Sequence, residues 1–317
     1  MDDISPLEQS AESVSSAESK LFNPRKAYLT SWGSARGGGD AGTNPPSGAI
    51  IDYDLAADPD STPVKLDILD AAHAVIRSFT SSAKPGDRNG KIPGTPGMHR
   101  VIWDLRSAAL DAPKGITFFG STAGSRVTPG SYSVQLTVNG KTFTEPLEVA
   151  QDPRMHMTTA ELAEENQIMH TITDRASMIF QDAKRLADVR DQVKTIVAHA
   201  RDLPDSSNVS TTGKRLAARL DSLNVELVQP QHTNGQDIIG FPNGVVDDWL
   251  YLAGNIDGSY MPVTNGAKQR LADLQQQWAA VQARIDDLLG AQVTAFNTML
   301  QGKAAVIVPR PQAGPKP

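Results

Sequence analysis

Between Thr158 and Leu203 the chain carries neither glycine nor proline, and this stretch constrains the fold more than any other. Leu162, Met169, Ile172, Ala176, Ile179, Ala183, Leu186, Val193, Val197 and Ala200 fall on steps of three and four. Glu165 and Arg190 interrupt the stripe. This spacing is a heptad-like seam on one helix face. Thr158, with Glu161 three residues on, predicts a capping box at its start. At 1.5 Å per residue the helix would run ~65 Å, so its stripe must be buried against partners. Three further segments supply them. Lys214 to Val228 carries Leu216, Leu220, Leu223 and Leu227. Asn243 to Ile256 carries Val246, Trp249, Leu250 and Leu252. Ala267 to Gln301 carries Leu271, Leu274, Trp278, Val281, Ile285, Leu288 and Phe296. Gly290 is expected to kink the last of these, at a cost of about 1 kcal/mol against Ala. The pattern predicts an antiparallel three- or four-helix bundle with long helices over residues 153–302.

Upstream the period changes from 3.6 to 2. Ile51, Tyr53 and Leu55 alternate with polar neighbours, as do Val64, Leu66 and Ile68, and Val101, Trp103 and Leu105. SYSVQLTV and TFTEPLEV flank Asn139-Gly140, the strongest short hairpin signal. Thr128-Pro129-Gly130 is turn chemistry opening a strand. Five or six strands with turns between them predict an Ig-like or fibronectin-like antiparallel β-sandwich over 44–152. The expected fold class is therefore α+β and multidomain. Ser81 to Pro96 reads as a long irregular loop. Residues 1–43 read as a flexible acidic, Ser- and Gly-rich leader and arm. Its apolar Leu21, Phe22, Tyr28 and Trp32 suggest docking as an added strand or lid. Residues 303–317 read as a disordered Pro-rich tail.

Thirty Lys and Arg against 36 Asp and Glu give a formal net charge of −6. That balance disfavours nucleic acid or anionic lipid as the main partner, since both require a basic face. The absence of cysteine excludes disulfides, thiolate metal sites and Cys nucleophiles. No apolar run approaches a membrane span, and the first twenty residues lack the pattern of a secretory signal.

Catalytic signatures are weak throughout. The six histidines include no His-x-x-x-His pair and read as ordinary surface or boundary residues. Asp247-Asp248 and Asp286-Asp287 are adjacent on helices and point about 100° apart, so neither is a dyad by itself. Asp104, after Trp103, is the one weak catalytic candidate, against the simpler role of a strand-end turn residue. Asp58-Pro59-Asp60-Ser61-Thr62 lacks the later bidentate Glu of a calcium loop. Neither Gly124-Ser125 nor Gly37–Gly39 completes a nucleophile elbow or a P-loop. No metal and no cofactor is expected. Trp32, Tyr53 and Phe119 are weak ligand-binding candidates, because exposed rings can stack on sugars. Burial is the commoner fate of Phe118 and Phe119.

LFNPRKAYLT, NPPSGAIIDYDL, VKLDILDAAHAVIRSF, GMHRVIWDLR, TPGSYSVQLTVNGKTFTEPLEVAQDPR and GQDIIGFPNGVVDDWLYLAGNIDG together resemble the C-terminal region of bacterial sortilin-type or BNR-repeat β-propeller proteins. Those proteins are commonly labelled glycosyl-hydrolase-like. The resemblance spans about residues 21–302. Trp-Asp-Leu-Arg followed by Thr-Pro-Gly-Ser-Tyr also looks like the Ig-like domain of flagellar hook-capping proteins. The resemblance implies a periplasmic or extracellular location. It also implies that any hydrolytic machinery belongs to the propeller, which is absent here, so no family catalytic residue maps onto this chain. The expected role is a non-catalytic accessory module docking a protein partner such as a β-propeller protein. The alternatives are a carbohydrate-binding module, or a glycoside hydrolase using carboxylates between the two domains. Asp104 capping a turn beside Arg106 would count against the last.

Overall fold

The computed structural model describes residues 5–11, 18–30, 46–59, 62–84, 86–87, 89–257 and 261–311. The protein is α+β and divides into two compact units. The first comprises the described residues of 1–109 and 123–166, the second those of 110–122 and 167–316.

The first unit opens with α1 (Ser5–Ala11), β1 (Lys20–Leu21) and β2 (Ala27–Leu29). There follow β3 (Ala49–Leu55), β4 (Lys65–Leu69), β5 (Val75–Thr80), β6 (Gly97–Trp103), β7 (Gly130–Val138) and β8 (Lys141–Gln151). One sheet has the order β1-β3-β6 and the other β2-β8-β7-β4-β5. β2 runs parallel to β8 and makes the second sheet mixed. Both sheets contribute to one apolar cluster, with Ile51, Tyr53, Leu66, Ile68, Trp103, Leu136 and Leu147 at 2% exposure or less. The hairpin signal is realised directly: Val138 pairs with Lys141 across Asn139-Gly140, both at positive φ. Residues 18–30 are not a free arm. Leu21 and Phe22 are buried, and the Phe22 amide donates to Asp52 O at 3.0 Å.

Helix α2 (Thr159–Ala198) begins at the expected box. The Thr158 amide donates to Glu161 Oε2 at 2.7 Å, and the Glu161 amide donates to Thr158 Oγ1 at 3.3 Å. Its buried residues include Met169, Ile172, Ala176, Ile179, Ala183, Leu186 and Val193. At the turn where Arg190 breaks the pattern, Val189 takes the inward position and Arg190 instead pairs with Asp191 and Asp221.

The second unit continues through α3 (Ser206–Val228), α4 (Asp237–Gly240), α5 (Val245–Asp257) and α6 (Asn265–Asp287) to α7 (Val293–Met299). At Gly290 the chain makes a π-helical turn, Leu288–Gln292, between α6 and α7. Residues 303–311 depart from a disordered tail. Val306 is buried and exchanges hydrogen bonds with the Asn297 amide at 2.7 and 2.9 Å, while Ile307 does the same with Gln192. Residues 110–122, inside the stretch read as strands, cluster with the helices.

Candidate functional site

Helix α5 starts against the chain that precedes it. Gly244 stands just before the first turn, and a Cβ there would lie 2.7 Å from Leu227 O, so a side chain does not fit. The Gly244 amide donates to Asp247 Oδ2 at 2.7 Å, a first-turn acid satisfying an amide at the helix start. The other oxygen of Asp247 reaches a distant segment, accepting from the Phe119 amide at 2.7 Å. Two residues earlier the Thr117 amide donates to His232 O at 2.6 Å. Gly120 has φ +151°, and a Cβ there would stand 2.6 Å from Leu250 Cβ. Segment 117–120 therefore lies directly on α5, where only glycine allows the approach.

Asp247 and His232 are both fully buried. His232 Nε2 lies 3.4 Å from Phe241 O, and Nδ1 lies 4.0 Å from Asp247 Oδ2 with no hydrogen-bond partner among the described residues. Burial pushes the Asp247 carboxyl above its ordinary value, opposed by the two backbone amides and by His232, and aided by Asp248. With both oxygens occupied, the carboxylate positions main chain and is closed to solvent.

What this scaffold presents outward is aromatic. Phe118 turns inward and packs against Phe180, with centroids 5.1 Å apart. Phe119 turns outward and stacks on Tyr251, with centroids 5.2 Å apart and ring planes 12° apart. The two rings are 41% and 53% exposed. Ile239 and Phe241, on the turn whose Phe241 carbonyl faces His232, are also exposed.

The other sequence candidates have different fates. Asp104 is exposed, and its Oδ1 accepts from the Arg106 amide at 3.2 Å. It is thus the turn residue of a tight Trp-Asp-Leu-Arg corner. In that corner Leu105 has φ 57° and the Trp103 indole donates to Arg106 O at 2.8 Å. Tyr132 of the Thr-Pro-Gly-Ser-Tyr run stands edge-on to Trp103, centroids 5.8 Å apart. Tyr53 is no platform: it is fully buried, and its hydroxyl donates to Pro93 O at 2.6 Å. Trp32 lies outside the described residues. The Asp58–Thr62 loop is only partly described, and among the described residues no three His, Cys, Asp or Glu are grouped to hold a metal. No helix among them is long and apolar enough to cross a membrane. Among the described candidates, Phe119 is the one that reaches solvent as a ring. Nothing in the sequence singles out its partner Tyr251; Asp247, no dyad member, is a buried tie between two backbone amides, and His232 is a core residue rather than a surface or boundary one.

No family model matches the chain, and no curated protein matches it. Among solved structures, CopC from Methylosinus trichosporium OB3b is similar over 44% of this chain and 100% of its own, at 10% identity and a TM-score of 0.22. A likeness at that level carries no argument about fold or function.

Proposed function

We propose that the protein is a non-catalytic interaction module that docks a protein partner through the surface around Phe119 and Tyr251. The observation that carries this reading is the exposed parallel stack itself, fixed from beneath by Asp247 and Gly120. Rigid, half-exposed aromatics lose little entropy on binding and are the commonest anchors of protein interfaces. Sequence resemblance supplies the partner class, a β-propeller protein of the glycosyl-hydrolase-like type, and a periplasmic or extracellular setting. In this reading the two sheets sharing one core form an Ig-like or fibronectin-like sandwich. Helices α2, α3, α5 and α6 form an antiparallel bundle. The test is a pull-down from the source cell with the tagged chain as bait, read by mass spectrometry. Recovery of a β-propeller protein is expected. Its absence from the eluate, with the bait intact, would contradict the reading.

The same stack favours one second reading, a carbohydrate-binding module, because sugars also pack on exposed rings. Titration calorimetry against a polysaccharide panel separates the two. Saturable binding abolished by Tyr251→Ala would favour carbohydrate.

A further inference from the structure

Two tryptophans of the helical unit, Trp249 on α5 and Trp278 on α6, are 0% and 3% exposed. Neither indole N–H has a hydrogen-bond partner among the described residues. Both rings flank one cation. The Arg175 guanidinium of α2 lies 6.0 Å from the Trp249 ring centre and 5.6 Å from that of Trp278. Arg175 Nη1 donates to Met178 Sδ at 3.7 Å, but its Nε is buried and has no acceptor. Gln282 follows Trp278 by one turn, on the same face of α6. Its amide nitrogen donates to Asp286 at 3.1 Å, while its Oε1 is buried and has no donor. Three donors and one acceptor, from three helices of one unit, are thus left around a single guanidinium. Burying a polar atom without a partner is costly, and native folds meet that need with protein groups or with ordered water.

The mixture of donors and acceptor decides which ligand fits. An anion would satisfy the donors but be repelled by Gln282 Oε1. The surrounding charge is also against it, because Arg175 faces Asp174 and Asp182, and Asp182 faces Asp286 as well as Arg185. A cation would meet N–H groups and a guanidinium. Water both accepts and donates, and a buried water typically makes about three hydrogen bonds. We propose that α2, α5 and α6 enclose an internal water site, in which long-lived water accepts from the Trp249 and Trp278 indoles and from Arg175 Nε and donates to Gln282 Oε1. Water held in this way is a structural ligand, costly to remove from the polar groups it joins. It lets three helices bring two indoles and a guanidinium together without a protein acceptor.

The indole N–H groups report on the site directly by NMR. Trp103 is the internal control, because its indole donates to Arg106 O at 2.8 Å. Indole resonances of the isotope-labelled full chain are assigned with Trp103→Phe, Trp249→Phe and Trp278→Phe. Cross-relaxation between each indole proton and water is then measured in the laboratory and rotating frames. Opposite signs in the two frames mark a resident water, whereas equal signs mark proton exchange or a passing water. The expected result is opposite-sign peaks at Trp249 and Trp278 and none at Trp103. Absence of such a peak at either buried indole, or one of equal strength at Trp103, would overturn the proposal. Gln282→Met replaces the acceptor with an apolar chain of similar length and should cost most of the Trp278 peak. An undiminished peak would count against the site, and if this variant does not fold the wild-type spectra decide. Inorganic phosphate, titrated into the wild type, should leave both indole shifts in place. A saturable movement would replace water with an anion and overturn the proposal.

Discussion

At the scale of single residues, Asp247 ties the start of α5 to segment 117–120 through one carboxylate. Replacing it with Ala leaves two amides without acceptors, and we expect a loss of about 3 kcal/mol in chemical denaturation, with Asp247→Asn losing less. Its pH dependence has a definite sign. Burial raises the folded carboxyl above its ordinary value, so the folded state holds this proton more tightly than the unfolded one. The group's contribution is therefore greatest at or below the ordinary carboxylate range and declines as pH rises through the folded value. Asp152 runs the other way. Arg154 donates to it from side chain and backbone and lowers its pKa to about 2. Its contribution is present above the ordinary carboxylate pKa and is lost as pH falls toward about 2, so Asp152→Asn should flatten the acid limb of a stability–pH curve. The sequence places Asp247 on a helix, but its tie to segment 117–120 has no local signature. His232 was not legible either, because nothing local separates a core histidine from a surface one until the Thr117 and Phe241 main chains close over it.

Among elements, the long helix and the Asn-Gly hairpin were plain because both rest on local rules, capping and turn chemistry. β5 was not read as a strand, for a physical reason. Its inward positions are Arg77 and Phe79, while Val75 faces solvent, so the hydrophobic alternation is inverted at one site. Arg77 tolerates burial by donating to Ser107 O. α3 begins earlier than the leucine spacing implied, and its first turns owe their packing to a small residue. A Cβ on Gly213 would meet Val197 Cγ2 at 2.4 Å and Phe296 at 3.1 Å. Gly→Ala inside a helix ordinarily gains about 1 kcal/mol, whereas overpacking costs about 1–3 kcal/mol. We expect the clash to win, so Gly213→Ala lowers stability. Adding Val197→Ala should recover part of the loss, which a double-mutant cycle measures.

Across the whole molecule, the hydrophobic pattern predicted a strand-rich part and a helix-rich part, and two apolar clusters are present. The path between them was hidden. Residues 110–122 sit in sequence between strands yet cluster with the helices, and no periodicity marks such a segment. That segment carries Phe119, so the candidate surface depends on contacts made more than a hundred residues apart. The most direct test of the docking surface is titration calorimetry of a captured propeller protein against wild type and Tyr251→Ala, with unchanged thermal unfolding of the variant as the control. We expect at least a tenfold weaker Kd for the variant, about 1.4 kcal/mol. Equal affinities would contradict it.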